Sequence, residues 1–268
     1  MQLLEKVYAL AEPYLAGRRV VDGVLGLNFV GAQLDNGSCH FITLMREALP
    51  PGESCGHPGL DMLEQPAAKI ARWALEGKDD LQRSLGMAVL NAVSPFYPRD
   101  TAPEQEEKDD GLPLLQPGDT LGMIGFMRPS IRRLLPHCKR IIIFDRAQDP
   151  VEKQAREQEL LGEKAAIYPM ELQPELLPLC DVVIITGTSM VNHSTEYILS
   201  HCGKAREVLL KGFSFPYYPE AYADTPISSL GSVYFNADAA ALFRPLSLGG
   251  GKEQVMAYAH HCQTRIKA

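Results

Sequence analysis

Five short runs in which apolar residues stand side by side, rather than alternating with polar ones, constrain this chain most. They fall at residues 120–126, 140–144, 181–186, 207–210 and 232–234. A strand that is apolar at every position needs cover on both faces, and a parallel sheet flanked by helices provides it. The intervening segments carry helix signals. Pro129 fits the first turn of a helix, where a missing N–H costs nothing, and Pro136 ends that segment. Asn192 or Ser194 can cap a helix running to His201. Residues 118–268 therefore read as a Rossmann-like parallel-sheet α/β domain.

The first 97 residues have a different texture. Leu3, Leu4, Val7, Tyr8, Leu10 and Ala11 recur at helical spacing before Pro13. Apolar runs broken by glycine at residues 20–30 predict a hairpin, and residues 39–44 a third strand. After a Pro/Gly-rich loop at residues 50–59, two helices are expected, at about 67–75 and 80–93. This makes a smaller α+β domain, 1–97. Residues 98–117, rich in Asp, Glu and Pro, are too polar to bury a face and read as a linker.

With Lys+Arg 26 against Asp+Glu 33, the net charge is -7 and no basic stripe interrupts it, so nucleic acid and anionic membranes are not expected partners. No run reaches the length of a membrane span, and charges in the first helical turn argue against a signal peptide. Six cysteines at wide, irregular spacing suit reduced thiols in a cytoplasmic protein.

Candidate site residues gather where strands end, because open α/β sheets bind ligands at the carboxyl edge. The turn from Gly122 through Gly125 to Pro129 joins a strand to a helix, but it lacks the third glycine of a dinucleotide fingerprint. Asp145 follows the second strand, where a Rossmann carboxylate meets a ribose; an ion pair with Arg146 is the competing reading. Thr186, Gly187, Thr188 and Asn192 bring hydroxyls and an amide to the end of the third strand, although the same residues can simply cap the next helix. Lys211 ends the fourth. Gly249, Gly250 and Gly251 before Lys252 do not form a phosphate loop, since Leu246 and Glu253 stand where that pattern needs Gly and Ser/Thr. They suit a hinge, or a close backbone approach to a ligand at the start of a helix carrying Val255 and Met256. Of several Cys/His coincidences, only Cys55 and His57, in the Pro/Gly-rich loop, look free to converge on a soft metal. No nucleophile is assigned.

The stretches Gly86–Ala92, Gly122–Pro129, Asp181–Asn192, Lys211–Gly212 and the late glycines resemble the family DUF364 with its companion N-terminal domain DUF4213, associated with heavy-metal chelation. The resemblance implies an N-terminal domain similar to that of enolase, a Rossmann-like second domain, and a site in the cleft between them that includes Asn91. The leading expectation is thus a protein that binds a divalent transition metal, or a small molecule containing one. The alternatives are an enzyme using a nucleotide-like ligand, such as an adenosine nucleotide or S-adenosylmethionine, and a non-catalytic small-anion binding module.

Overall fold

The structure, a computed structural model, describes residues 2–45, 58–97, 113, 115–146 and 149–266. The linker read at 98–117 falls largely outside these residues. The N-terminal lobe comprises α1 (Gln2–Leu15), β1 (Val20–Leu25), β2 (Phe29–Leu34), β3 (Cys39–Thr43), α2 (Pro58–Met62), α3 (Ala67–Ala71), α4 (Trp73–Glu76) and α5 (Asp80–Ala92). Its three strands form an antiparallel sheet in the order β1-β2-β3. Asp79 caps α5 by accepting from the Gln82 N–H at 2.8 Å. The helix then runs so close to α4 that a Cβ on Gly86 would lie 2.2 Å from the Ala74 nitrogen. Glycine in mid-helix costs about 1 kcal/mol against alanine, and here it is what lets two backbones touch.

The second lobe comprises β4 (Thr120–Ile124), α6 (Arg128–Leu134), β5 (Arg140–Phe144), α7 (Pro150–Arg156), α8 (Gln158–Leu161), β6 (Ala165–Tyr168), α9 (Gln173–Leu176), β7 (Val182–Thr186), α10 (Thr188–Val191), α11 (Thr195–Ser200), β8 (Glu207–Lys211), β9 (Ser229–Phe235), α12 (Ala239–Ser247) and β10 (Ala259–Arg265). Seven strands make one mostly parallel sheet, ordered β10-β9-β8-β7-β4-β5-β6. Every residue of β4 is buried, as are the first four of β7 and of β8, which is why those segments read as unbroken apolar runs. From β4 the chain adds β5 and β6 on one side, then returns to place β7 on the other. The switch of direction therefore lies between β4 and β7, where such sheets open a crevice.

Several features depart from the sequence reading: in the first lobe the helix expected at about 67–75 is split at Arg72 into α3 and α4, and α2 begins at Pro58, inside the expected loop. β6 has only four residues, of which two are half-buried, too short a run to register. β9 starts at Ser229, three residues earlier than expected. The helix expected around Val255 and Met256 is two short 3-10 turns leading into β10, which pairs antiparallel with β9. β10 is an edge strand, half-buried or exposed along its length, so no core demanded apolar residues to signal it.

The two lobes share their packing. The small sheet lies between α5 and α12, and Phe29 and Phe41 join Phe235, Leu242 and Phe243 in one apolar cluster. Polar ties cross as well: His40 Nε2 meets the Phe213 carbonyl at 2.9 Å, Arg83 Nε donates to the Val191 carbonyl at 2.9 Å, and His193 Nε2 meets the Ala74 carbonyl at 2.9 Å. No helix among the described residues is long and apolar enough to cross a membrane.

At the opposite, amino-terminal edge of the large sheet, Arg206 grips buried Asp119, with Nη1 donating to Oδ1 at 2.7 Å. That bond holds the Asp119 carboxyl below its usual range, helped by the Gln116 N–H and opposed by burial. A depressed folded-state pKa gives stability that is present above the unfolded value, about 3.9, and lost as pH falls through the folded value. Melting temperature followed from pH 7 to pH 2 is expected to fall less steeply below about pH 4 in Asp119→Asn than in the parent. Identical acid limbs would mean that the pair does not couple to folding.

Candidate functional site

A cleft of about 490 Å³ opens at the β4/β7 switch point, between the carboxyl edge of the large sheet and the end of β3. Its floor is Ile124, Gly125 and Phe144. Gly125 has φ +90°, its N–H donates to the Phe144 carbonyl at 2.7 Å, and a Cβ there would sit 3.0 Å from Thr186 Cγ2. Glycine is needed both for the backbone angle and for the space beside β7.

One wall is polar. The Thr186 and Thr188 hydroxyls lie 3.1 Å apart, and the Ser189 hydroxyl bonds Thr195 at 2.7 Å. Asn192 Oδ1 accepts the Ser194 N–H at 3.1 Å, while Asn192 Nδ2 lies 3.9 Å from the Met45 sulfur of the other lobe. The capping expected of these residues does not form: Gly187 and Ser194 stand at the starts of α10 and α11 without a side-chain cap, and Asn192 instead turns the chain by accepting from the Ser194 N–H while it lines the cleft. The opposite wall comes from the N-terminal lobe, with Asn28, Phe29, Thr43, Leu44 and Met45.

At the rim, Asp145 follows β5. Its partner is the ammonium of Lys153 on α7, and not Arg146. That ammonium also lies 4.4 Å from the centre of the Phe126 ring, so a cation–π contact and an ion pair hold it together. Arg146 itself is exposed at the rim, and Gly251, Lys252 and Glu253 contribute from beyond α12. The late glycines thus stand beside the cleft. Asn28 Nδ2 lies 3.5 Å from the Gly249 carbonyl, linking this segment to the β1–β2 turn.

Gly125, Asp145, Thr186, Thr188 and Asn192 therefore line one cleft. The other sequence candidates lie elsewhere. Gly122 sits within β4, its Cβ direction meeting Cys180 Sγ at 2.9 Å, and Gly187 lies beneath the wall, where a Cβ would be 2.9 Å from the Phe215 nitrogen. Lys211 is half-buried at the end of β8, in register with Thr186. Asn91 is buried between the lobes: its Oδ1 accepts from the Tyr97 hydroxyl at 2.9 Å and the Tyr217 N–H at 3.1 Å. Cys55 and His57 lie outside the described residues. Asn28, Phe29 and the Thr43–Met45 stretch carry no site signal in the sequence, and Arg146 enters it only as a possible ion-pair partner of Asp145, because packing between lobes, not a local motif, brings them to the cleft.

Among the described residues, no group of three or more His, Cys, Asp or Glu side chains is placed to hold a metal ion. Burial pushes the Cys180 and Cys202 thiols up to about 12, and raises Cys138 too. All three are buried in the core.

Residues 112–262 match the DUF364 family model and residues 8–94 the DUF4213 model, both described as "Putative heavy-metal chelation". The chain belongs to the DUF364 family. A DUF364 protein of unknown function from Pyrococcus horikoshii has the same fold, with a TM-score of 0.74 at 20% identity over 98% of this chain and 99% of that one. Another, from Desulfitobacterium hafniense, gives 0.68 at 19% identity over 97% and 98%. An uncharacterized protein of Methanocaldococcus jannaschii is 28% identical over 157 residues, which is 58% of this chain and 55% of that protein. This chain thus spans about half the length of that curated relative.

Proposed function

We propose that this protein binds a small molecule carrying a heavy-metal ion in the cleft between its lobes. The family description supplies the metal. The lining supplies the form in which it arrives, and it is the observation that carries the reading. Thr186, Thr188, Ser189, Ser194, Asn28 and Asn192 offer hydroxyls and amides, suited to hydrogen-bonding the periphery of a ligand. A soft ion taken up bare would call for thiolate or imidazole. Of the two lining carboxylates, Asp145 is committed to Lys153. The described residues therefore do not fit a bare-ion site, and a metal already held by another molecule's atoms fits better. Phe29, Leu44, Met45 and Ile124 would exclude water from one side of that molecule.

Calorimetry of the full chain with nickel, cobalt and zinc salts, and with the same ions as small chelates, tests this. The chelates are expected to bind, and Thr188→Val with Asn192→Leu to weaken them at least tenfold, since each lost hydrogen bond is worth about 1 kcal/mol. Cys55→Ser with His57→Ala should leave chelate binding unchanged. Free ions that bind and are lost in that second variant would instead assign direct coordination to the loop. If neither form binds at millimolar concentration, the reading fails.

A second reading, a nucleotide-like ligand, is favoured by one observation: Gly125 and Asp145 both line the cleft, at the ends of adjacent parallel strands. Adenosine phosphates and S-adenosylmethionine in the same titration test it.

A further inference from the structure

The charges around the cleft narrow the class of ligand. The lining contains two cations, Arg146 and Lys252, and two carboxylates, Asp145 and Glu253. Lys153, behind the lining, neutralises Asp145. Arg146 and Lys252 are both exposed and, among the described residues, neither is paired with an acidic side chain. Cations thus outnumber uncompensated anions at the mouth of the cleft, in a chain whose net charge is -7. They also approach from two directions. Arg146 follows β5 on one side of the switch point, and Lys252 follows α12, which descends from β9 on the other. A ligand seated over Gly125 lies between them.

Resting on the metal-complex reading above, we propose that the bound molecule is an anionic chelate, a divalent transition metal held by a polycarboxylate whose outer carboxylate oxygens face Arg146 and Lys252. Carboxylates suit both tasks, since they coordinate the ion and leave free oxygens for the fork of a guanidinium and the point charge of an ammonium. The Asp145–Lys153 pair contributes by removing a negative charge that would repel such a ligand, while Asp145 keeps a place in the lining. The Thr186 and Thr188 hydroxyls bond each other, which leaves one of their two protons to donate from the polar wall. The overall negative charge of the chain disfavours anions elsewhere on its surface, which concentrates the preference at the cleft.

The test titrates the full chain with nickel citrate, with the neutral bis-histidine complex of nickel, with the cationic ethylenediamine complex, and with inorganic phosphate and ATP free of metal. Nickel citrate is expected to bind best. Arg146→Gln with Lys252→Gln should weaken it about tenfold at low ionic strength, as two partly exposed ion pairs would. The difference should shrink near 1 M salt, where screening reaches about 3 Å. An unchanged melting temperature shows that the variant is folded. If the neutral or cationic complex binds as tightly as the citrate complex, or the variant binds nickel citrate as the parent does, the anionic-chelate inference is overturned and the metal-complex reading stands. Metal-free phosphate or ATP binding more tightly than nickel citrate, with the same dependence on Arg146 and Lys252, would overturn the carboxylate assignment. Failure of all three complexes to bind would overturn the underlying reading and the inference with it.

Discussion

Replacing Asn91 by leucine is expected to lower the melting temperature strongly and to leave ligand affinity within about threefold. Asn91 is 0% exposed, and it serves three groups at once: the Tyr97 hydroxyl, the Tyr217 N–H and, through Nδ2, the Met87 carbonyl at 3.3 Å. Leucine has a similar size but no polar atom. The Tyr97 hydroxyl keeps Ser232 at 3.1 Å, whereas the Tyr217 N–H loses the amide oxygen in a site closed by stacked Tyr97 and Tyr217 rings, 5.0 Å apart. An unsatisfied buried donor costs about 1–3 kcal/mol, and the lost bonds bring the total to roughly 3 kcal/mol. For a chain of this size that is on the order of 5–10 °C. Differential scanning calorimetry beside a ligand titration separates the two roles. Unchanged melting with affinity lost would return Asn91 to the ligand, where the family resemblance put it.

The contrast between Asn91 and Asp145 shows what could be read from the chain alone. Asp145 is legible by position: a carboxylate at the end of a buried parallel strand has to emerge at the sheet's carboxyl edge, whatever else the fold does. The same logic brought Gly125, Thr186, Thr188 and Asn192 to the cleft lining. Its limit is that it fixes where a side chain emerges and not what it meets. Lys153, eight residues on, takes the Asp145 carboxylate because α7 turns back over Phe126, a tertiary event with no local signature. Asn91 sits in an apolar helix face, and from sequence a polar residue there signals only that it needs partners; that they belong to the other lobe emerged from the packing. The N-terminal wall, Asn28 to Met45, was equally silent, because the turn and strand end that carry it are ordinary until α12 folds across the small sheet.

That packing also explains how a cleft between lobes can be well defined. Thr188 to Ser194, the polar wall, hang from a segment tied to the N-terminal lobe by Arg83 at the Val191 carbonyl and by His193 at the Ala74 carbonyl. His193 adopts φ +58°, an angle that side chains other than glycine seldom take, and its ring bond is one of the contacts that hold it there. The opposite wall is fixed by Thr43, whose N–H donates to the Ser214 hydroxyl at 3.1 Å. Each wall is thus anchored across the lobe boundary, which favours a preformed site over one assembled on binding.

The floor is where a single substitution should matter most for binding. Gly125→Val is expected to reduce affinity for nickel citrate by about a hundredfold, equivalent to roughly 2.7 kcal/mol. Two effects combine. A β-branched residue at φ +90° is strained by on the order of 1–3 kcal/mol, so the backbone between β4 and α6 must shift. Whatever shift it finds, the new methyl groups start from a Cβ only 3.0 Å from Thr186 Cγ2, and both residues line the cleft in which the ligand is proposed to sit. Gly125→Ala shares the backbone strain but adds only one carbon, so it should lose stability comparably and affinity much less. Measuring melting temperature and affinity for both variants separates blockage from strain. Equal affinity losses in alanine and valine would show that backbone strain, not occupancy of the floor, controls binding, and a valine variant that binds as tightly as the parent would move the ligand away from the β4/β7 switch point altogether.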